Sequence, residues 1–208
     1  NRGEIALRIL RSCHDLGIAT VAVYSEADRE ALHVRFANEA RLLGGPHPKD
    51  SYLRIDRVIA VAKETGADAI HPGFGFLAEN PDMVRACEEA GIAFVGPPTR
   101  AMELMGDKLA SRKTMIAAGV PVVPGSADPV SGAEAACVIA EGIGYPVMLK
   151  ASAGGGGKGI RAVHCAEEMA AAFSSAHGEA ESSFGDGRML VEKMVVDARH
   201  IEVQVIGD

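Results

Sequence analysis

The chain has 208 residues, 48% of them hydrophobic and 24% charged, with 24 glycines, 10 prolines and no tryptophan. That length can build a real core, in one large or two small domains. The formal charge of −7 and the lack of any basic stripe argue against a nucleic-acid binder or a membrane-surface binder, since both present basic surface.

The first half alternates helix and strand. In "EIALRILRSCHDLG" the residues Ile5, Ile9, Cys13 and Leu16 form one helical stripe, and Gly17 closes it. "TVAVYS" reads as a β-branched strand, "ADREALHVRFANEA" as helix and "RLLG" as a short strand. Ser51 is expected to cap "YLRIDRVIAVAKETG", whose apolar set is Leu53, Ile55, Val58, Ile59 and Ala62. "DAIHPG" then reads as strand, "NPDMVRACEEAG" as helix and "AFVGP" as strand. This rhythm predicts a doubly wound parallel sheet, and the opening helix implies a strand upstream of it.

The second half changes character. "DKLASRKTMIAAG" predicts one short helix with Asp107 as cap and Gly119 as stop. "VPVVPGSADP" reads as a Pro-rich connector and "SGAEAACVIAEGIG" as helix. "PVMLKA", "IRAVHC", "RMLVEKMV" and "HIEVQVIG" read as strands, with a long helix over "AEEMAAAFSSAHGEAESSF". The result is α/β followed by α+β with antiparallel hairpins. Both ends look cut, so the sequence reads as part of something longer.

Between two of these strands stands "SAGGGGKG". Four glycines in a row lose the most backbone entropy on folding and pack nothing. The pattern G-x-x-x-x-G-K-[ST] fails here, because Ser152 and Gly159 stand where it needs glycine and a hydroxyl. G-x-G-x-x-G matches formally at Gly154, Gly156 and Gly159, but strand, not helix, follows. A hairpin tip without side chains can bring several N–H groups against one anion, and Lys150 and Lys158 flank it. A plain surface hairpin is the alternative. Lys108, in the first turn of its helix, opposes the macrodipole unless an anion binds there.

The four cysteines, Cys13, Cys87, Cys137 and Cys165, form no C-x-x-C pair, and the histidines show no metal-ligand spacing. Reduced, structural cysteines fit a cytoplasmic or mitochondrial-matrix compartment. No apolar run reaches the roughly 18 residues of a membrane span, and no signal peptide is expected.

"NRGEIALRIL", "HPGFGFLAEN", "MGDK", "GVPVVPG", "YPVMLKASAGGGGKGIR" and "EKMVVDARHIEVQV" together resemble biotin carboxylase, the ATP-grasp component of biotin-dependent acyl-CoA carboxylases. The resemblance covers essentially the whole chain. It implies a pre-ATP-grasp domain over 1–105 and an incomplete ATP-grasp domain over 106–208, with a mobile lid at about 123–195. It implies an enzyme, a ligase: ATP phosphorylates bicarbonate, and the carboxyphosphate gives its CO2 to biotin on a carrier protein.

The resemblance puts Lys108 and Lys150 on the ATP phosphates, with Gly156 and Gly157 in the loop above them. Glu192, Lys193, Met194 and Val195 would hold the adenine, and His200 would line the nucleotide pocket. Phe74 and Gly75 belong to a loop facing the biotin site; the family commonly has tyrosine at Phe74, so the ring remains and the hydroxyl is absent. The Mg2+ ligands, the bicarbonate-binding residues and the general base are expected beyond Asp208. No metal ligands or catalytic residues are expected within this chain, which alone should be inactive. A carrier domain, a carboxyltransferase and a second copy of the chain are the implied partners. Two alternatives remain open, another ATP-grasp ligase resembling carbamoyl-phosphate synthetase and a non-catalytic nucleotide-binding module.

Overall fold

The computed structural model describes residues 1–152 and 159–207. The chain divides into two compact units, Asn1–Gly106 and Asp107–Asp208.

The first unit opens with helix α1 (Gly3–Asp15) and strand β1 (Val21–Ser25). Helix α2 (Leu32–Phe36) and strand β2 (Glu39–Gly44) follow. Then come α3 (Ile55–Thr65), β3 (Ala69–Ile70), α4 (Pro81–Ala90), β4 (Ala93–Phe94) and α5 (Thr99–Gly106). β1 pairs with β2 and β3 with β4, both in parallel. The expected α/β rhythm is therefore present, but among the described residues the parallel strands form two separate two-stranded ladders. An apolar cavity of about 770 Å³ borders both, lined by Ile9, Leu10, Val21, Val23, Ile70 and Leu77 among others.

That cavity explains a departure from the sequence reading. Ile5, Ile9 and Cys13 are only half-buried and Leu16 is 74% exposed, while Ala6 and Leu10 are the buried residues of α1. Ile9, Cys13 and Leu16 face open space, not packed atoms. Two further expectations need correction. Helix over 27–40 shrinks to α2, preceded by a single 3-10 turn. Ser51 does not cap α3, which starts at Ile55 with Arg54 as N-cap. The Ser51 hydroxyl instead donates to His47 O at 2.9 Å within a tight turn, and the residue is fully buried.

The second unit holds α6 (Lys108–Ala117), α7 (Ala133–Ile143), β5 (Val147–Ala151), β6 (Ile160–Val163), α8 (Ala166–Phe184) and β7 (Met189–Lys193). The strands form one antiparallel sheet in the order β6-β5-β7. Val147, Leu149, Ala151, Val163, Met189 and Val191 point to one face and are buried with Ala136, Ala140, Met169 and Ala176 of α7 and α8. Strand alternation sends Met148, Lys150, Leu190 and Glu192 to the other face.

The Pro-rich connector does more than link. Ser126 N–H donates to Val191 O at 2.8 Å, Val130 N–H to Met189 O at 2.9 Å, and Lys193 N–H to Pro124 O at 2.7 Å. It thereby covers the outer edge of β7, where unpaired backbone groups would otherwise stand. The expected last strand is absent. Residues 200–207 belong to no element, and Ile201, Val203 and Val205 are 83%, 81% and 83% exposed. No described strand pairs with them, and a strand without a partner has no ladder to satisfy its backbone.

Candidate nucleotide site

The site is built on the polar face of the β5–β7 ladder and the start of α6. The Asp107 side chain accepts the N–H groups of Leu109 at 2.8 Å and Ala110 at 2.9 Å, which starts α6 as the sequence predicts. Lys108 follows at once and donates from Nζ to Ala151 O at 3.0 Å, at the end of β5. Burial pushes its ammonium below the ordinary lysine value, and nearby Lys150 adds to this. Glu192 and Asp107 pull the other way.

Lys150 Nζ lies 2.5 Å from Glu192 Oε2. The other carboxylate oxygen, Oε1, lies 3.9 Å from Nη1 of Arg112 on α6. Two lysines and an arginine thus gather around one carboxylate, all within the second unit. Such a surplus of positive charge on a sheet face, beside a helix start, suits a polyanionic ligand.

The other predicted residues fall differently. Lys193 donates from Nζ to the carbonyls of Gly144 and Tyr145, both at 3.0 Å, so its ammonium closes the end of α7. Met194 N–H donates to Pro146 O at 3.1 Å. Val195 is 59% exposed. His200 sits in the exposed segment after β7, and the carboxylate beside it is that of Glu202 at 3.7 Å, not a member of the cluster. Gly156 and Gly157, with Lys158, lie outside the described residues.

Arg112 was missed by sequence reasoning. The available signal is its position four residues after Lys108, which puts both on one face of α6. Among the described residues no group of three or more His, Cys, Asp or Glu could hold a metal ion. Glu192, the carboxylate nearest the lysines, is already engaged by Lys150. The described residues therefore do not fit Mg2+.

In the first unit, Phe74 and Gly75 lie on an exposed loop. Phe74 is 79% exposed, and its carbonyl accepts from the Asn1 side-chain amide. The Gly73 N–H donates to His71 Nδ1 at 3.1 Å. Next to the loop, the Phe76 ring stacks on Tyr52 with centroids 5.5 Å apart, and the Arg2 guanidinium lies over both rings.

Residues 1–102 match the family described as Biotin carboxylase, N-terminal domain, and residues 107–208 match Carbamoyl-phosphate synthase L chain, ATP binding domain. The biotin carboxylase of Halalkalibacterium halodurans is 54% identical over 208 residues, which is 100% of this chain and 46% of that protein. The chain belongs to the biotin carboxylase family.

Solved biotin carboxylase structures agree. The biotin carboxylase of Campylobacter jejuni, in complex with β-γ-ATP, superimposes with a TM-score of 0.89 at 48% identity, covering 94% of this chain and 44% of that one. The biotin carboxylase domain dimer of Hydrogenobacter thermophilus 2-oxoglutarate carboxylase, in complex with MgADP, ADP and bicarbonate, gives 0.87 at 52% identity, covering 94% and 43%. The chain thus spans less than half the length of these biotin carboxylase relatives. Among the described residues no helix is long and apolar enough to cross a membrane.

Proposed function

We propose that this chain forms the phosphate-facing part of an enzyme that carboxylates carrier-linked biotin with ATP and bicarbonate. The observation that carries this reading is the placement of Lys108 and Lys150 together, at a helix start and on the open face of the β5–β7 ladder. Phosphoryl transfer asks a protein mainly for positioning and for positive charge where negative charge builds. The two ammonium groups supply part of that charge. Gly156 and Gly157, outside the described residues, belong to the phosphate loop in this reading. In the same reading Glu192, Lys193, Met194 and Val195 hold the adenine, His200 lines the nucleotide pocket, and Phe74 and Gly75 stand at the biotin site. The domain division is 1–105 and 106–208, with the lid at about 123–195. Mg2+, the bicarbonate site and the general base are assigned to no residue here. The partners are a biotin carrier domain, a carboxyltransferase and a second copy of the chain, in the cytoplasm or mitochondrial matrix, with no role for nucleic acid or membrane.

The test is phosphate release by the full-length protein with bicarbonate and biotin supplied together and singly. Release that needs both supports the reading. Release driven by bicarbonate and indifferent to biotin overturns it in favour of a carbamoyl-phosphate synthase-like ligase, a reading favoured by the match over 107–208. Nucleotide binding without turnover under any condition favours a non-catalytic module.

A further inference from the structure

Arg112 is set beside the nucleotide site in an incomplete state. Its side chain is only 13% exposed. Its Nε is buried with no hydrogen-bond partner among the described residues. Its Nη1 stands 3.9 Å from Glu192 Oε1, beyond hydrogen-bond distance. Glu192 meanwhile turns its other oxygen to Lys150 at 2.5 Å. A buried donor without an acceptor is costly, and each such group asks for an explanation.

A nucleotide creates a second cost. If Lys150 turns to a phosphate, the Glu192 carboxylate, itself 19% exposed, loses its close, hydrogen-bonded counter-ion and keeps only the Arg112 guanidinium at 3.9 Å. A largely buried carboxylate whose remaining charge partner is too far to hydrogen-bond is unfavourable. These two costs have one solution. We propose that Arg112 is the second seat of the Glu192 carboxylate: Lys150 holds it in the empty site, and Arg112 takes it when a nucleotide phosphate claims Lys150. Arg112 is then a positioning residue, acting on the nucleotide only through Glu192. A guanidinium suits this task, because its planar fork can bind both oxygens of a carboxylate in parallel. Lysine, a single point charge, lacks that fork. The carboxylate stays compensated in both states, so releasing Lys150 costs less than breaking a buried pair outright. This inference rests on the reading that Lys150 serves nucleotide phosphates.

The test is calorimetric titration of the full-length protein with ATP, ADP and adenosine, for wild type, Arg112→Gln, Glu192→Gln and the double variant. Arg112→Gln should weaken ATP and ADP about tenfold, a modest share of the cost of an unpaired buried charge, and adenosine less than about twofold. In the Glu192→Gln background the same change should cost less than about twofold, because no charged carboxylate needs a seat. Equal losses for adenosine and ATP, or the same loss in both backgrounds, would overturn the proposal.

A crystal structure of the wild-type protein with ATP gives an independent answer should Arg112→Gln fail to fold. Glu192 should then lie within about 3.2 Å of Arg112, hydrogen-bond range, with Lys150 turned to a phosphate. A Lys150–Glu192 contact left intact while Lys150 also reaches a phosphate would overturn this inference alone, and a Lys150 that touches no phosphate would overturn the reading beneath it as well. Wild-type protein that binds no ATP would overturn it together with the reading beneath it.

Discussion

Lys150 on β5 and Glu192 on β7 are diagonal neighbours on one face of an antiparallel ladder. Lys150 pairs across to Leu190 and Glu192 to Met148, and the two charged ends meet at 2.5 Å. Diagonal positions lie within reach of long side chains, and the buried Leu149 and Val191 hold the register from the opposite face.

Lys150→Met and Lys108→Met should each weaken ATP binding to the full-length protein by about 1.5–3 kcal/mol, the worth of a charged hydrogen bond. Calorimetric titration measures this. Unchanged dissociation constants in both variants would remove the phosphate role from these lysines.

Gly125 should resist substitution, for reasons of space. A Cβ there would stand 2.5 Å from Val191 O and 3.1 Å from the Glu192 Cα. Gly125→Ala must push the connector off β7 or bend the strand that carries Glu192. A loss of about 1–3 kcal/mol in folding stability is expected, the usual cost of overpacking. Weaker ATP binding should accompany it. An unshifted urea midpoint would mean the connector yields freely.

Tyr52→Phe tests a buried network in the first unit. The Tyr52 hydroxyl donates to Asp28 Oδ2 at 2.6 Å and accepts from the buried Ser25 N–H at 3.0 Å. Burial, with Asp28 adding to it, pushes the phenol up to about 12. The variant keeps the ring stack on Phe76 and strands the Ser25 N–H. It should lose about 1–3 kcal/mol, the cost of an unsatisfied buried donor, read from urea denaturation at neutral pH.

His33 gives the first unit a pH dependence with a definite sign. The residue is 1% exposed, and burial pushes its imidazole below the ordinary histidine value, outweighing a weak contact with the Val23 backbone and the charge of Asp28. The unfolded chain, with a pKa of about 6.5, therefore takes up a proton at a pH where the folded chain does not. Stability should be complete above about pH 6.5 and fall as pH drops below it, levelling off below the folded value. Asp28 adds a similar slope, but lower. Burial would raise its carboxyl; hydrogen bonds from Tyr52, Ser25 and Arg2 outweigh that and hold it below its ordinary value. Its contribution is lost only as pH falls below about 4. Urea midpoints between pH 7.5 and 5 should drop for the wild type and drop less for His33→Met, with the remaining slope left to His71, which burial also holds below the ordinary histidine value. Parallel curves would assign the slope elsewhere.

Much of this was readable from residue order. Helices were read at α4, α7 and α8 and strands at β1 and β5, and Asp107 marked the start of α6. Such signals are local: a period, a cap or a breaker acts within a few residues, so residue order alone contains it. Lys150 and Lys108 also stood out, because lysine beside a glycine run and at a helix start are both locally odd.

The contacts were not readable in the same way. Nothing near Lys150 names Glu192, 42 residues away, as its partner, and nothing near Arg112 points to that carboxylate either. Those meetings follow from strand register and from where α6 lies against the sheet, and both are settled by packing of the buried face. The same holds for the failures. Residues 200–206 alternate as a strand should, yet form none, because a strand exists only with a neighbour to bond. Ser51 has the chemistry of a cap, yet its hydroxyl finds His47 O first. Pattern states what a segment could become; pairing and burial, which join residues far apart in the chain, choose among those possibilities.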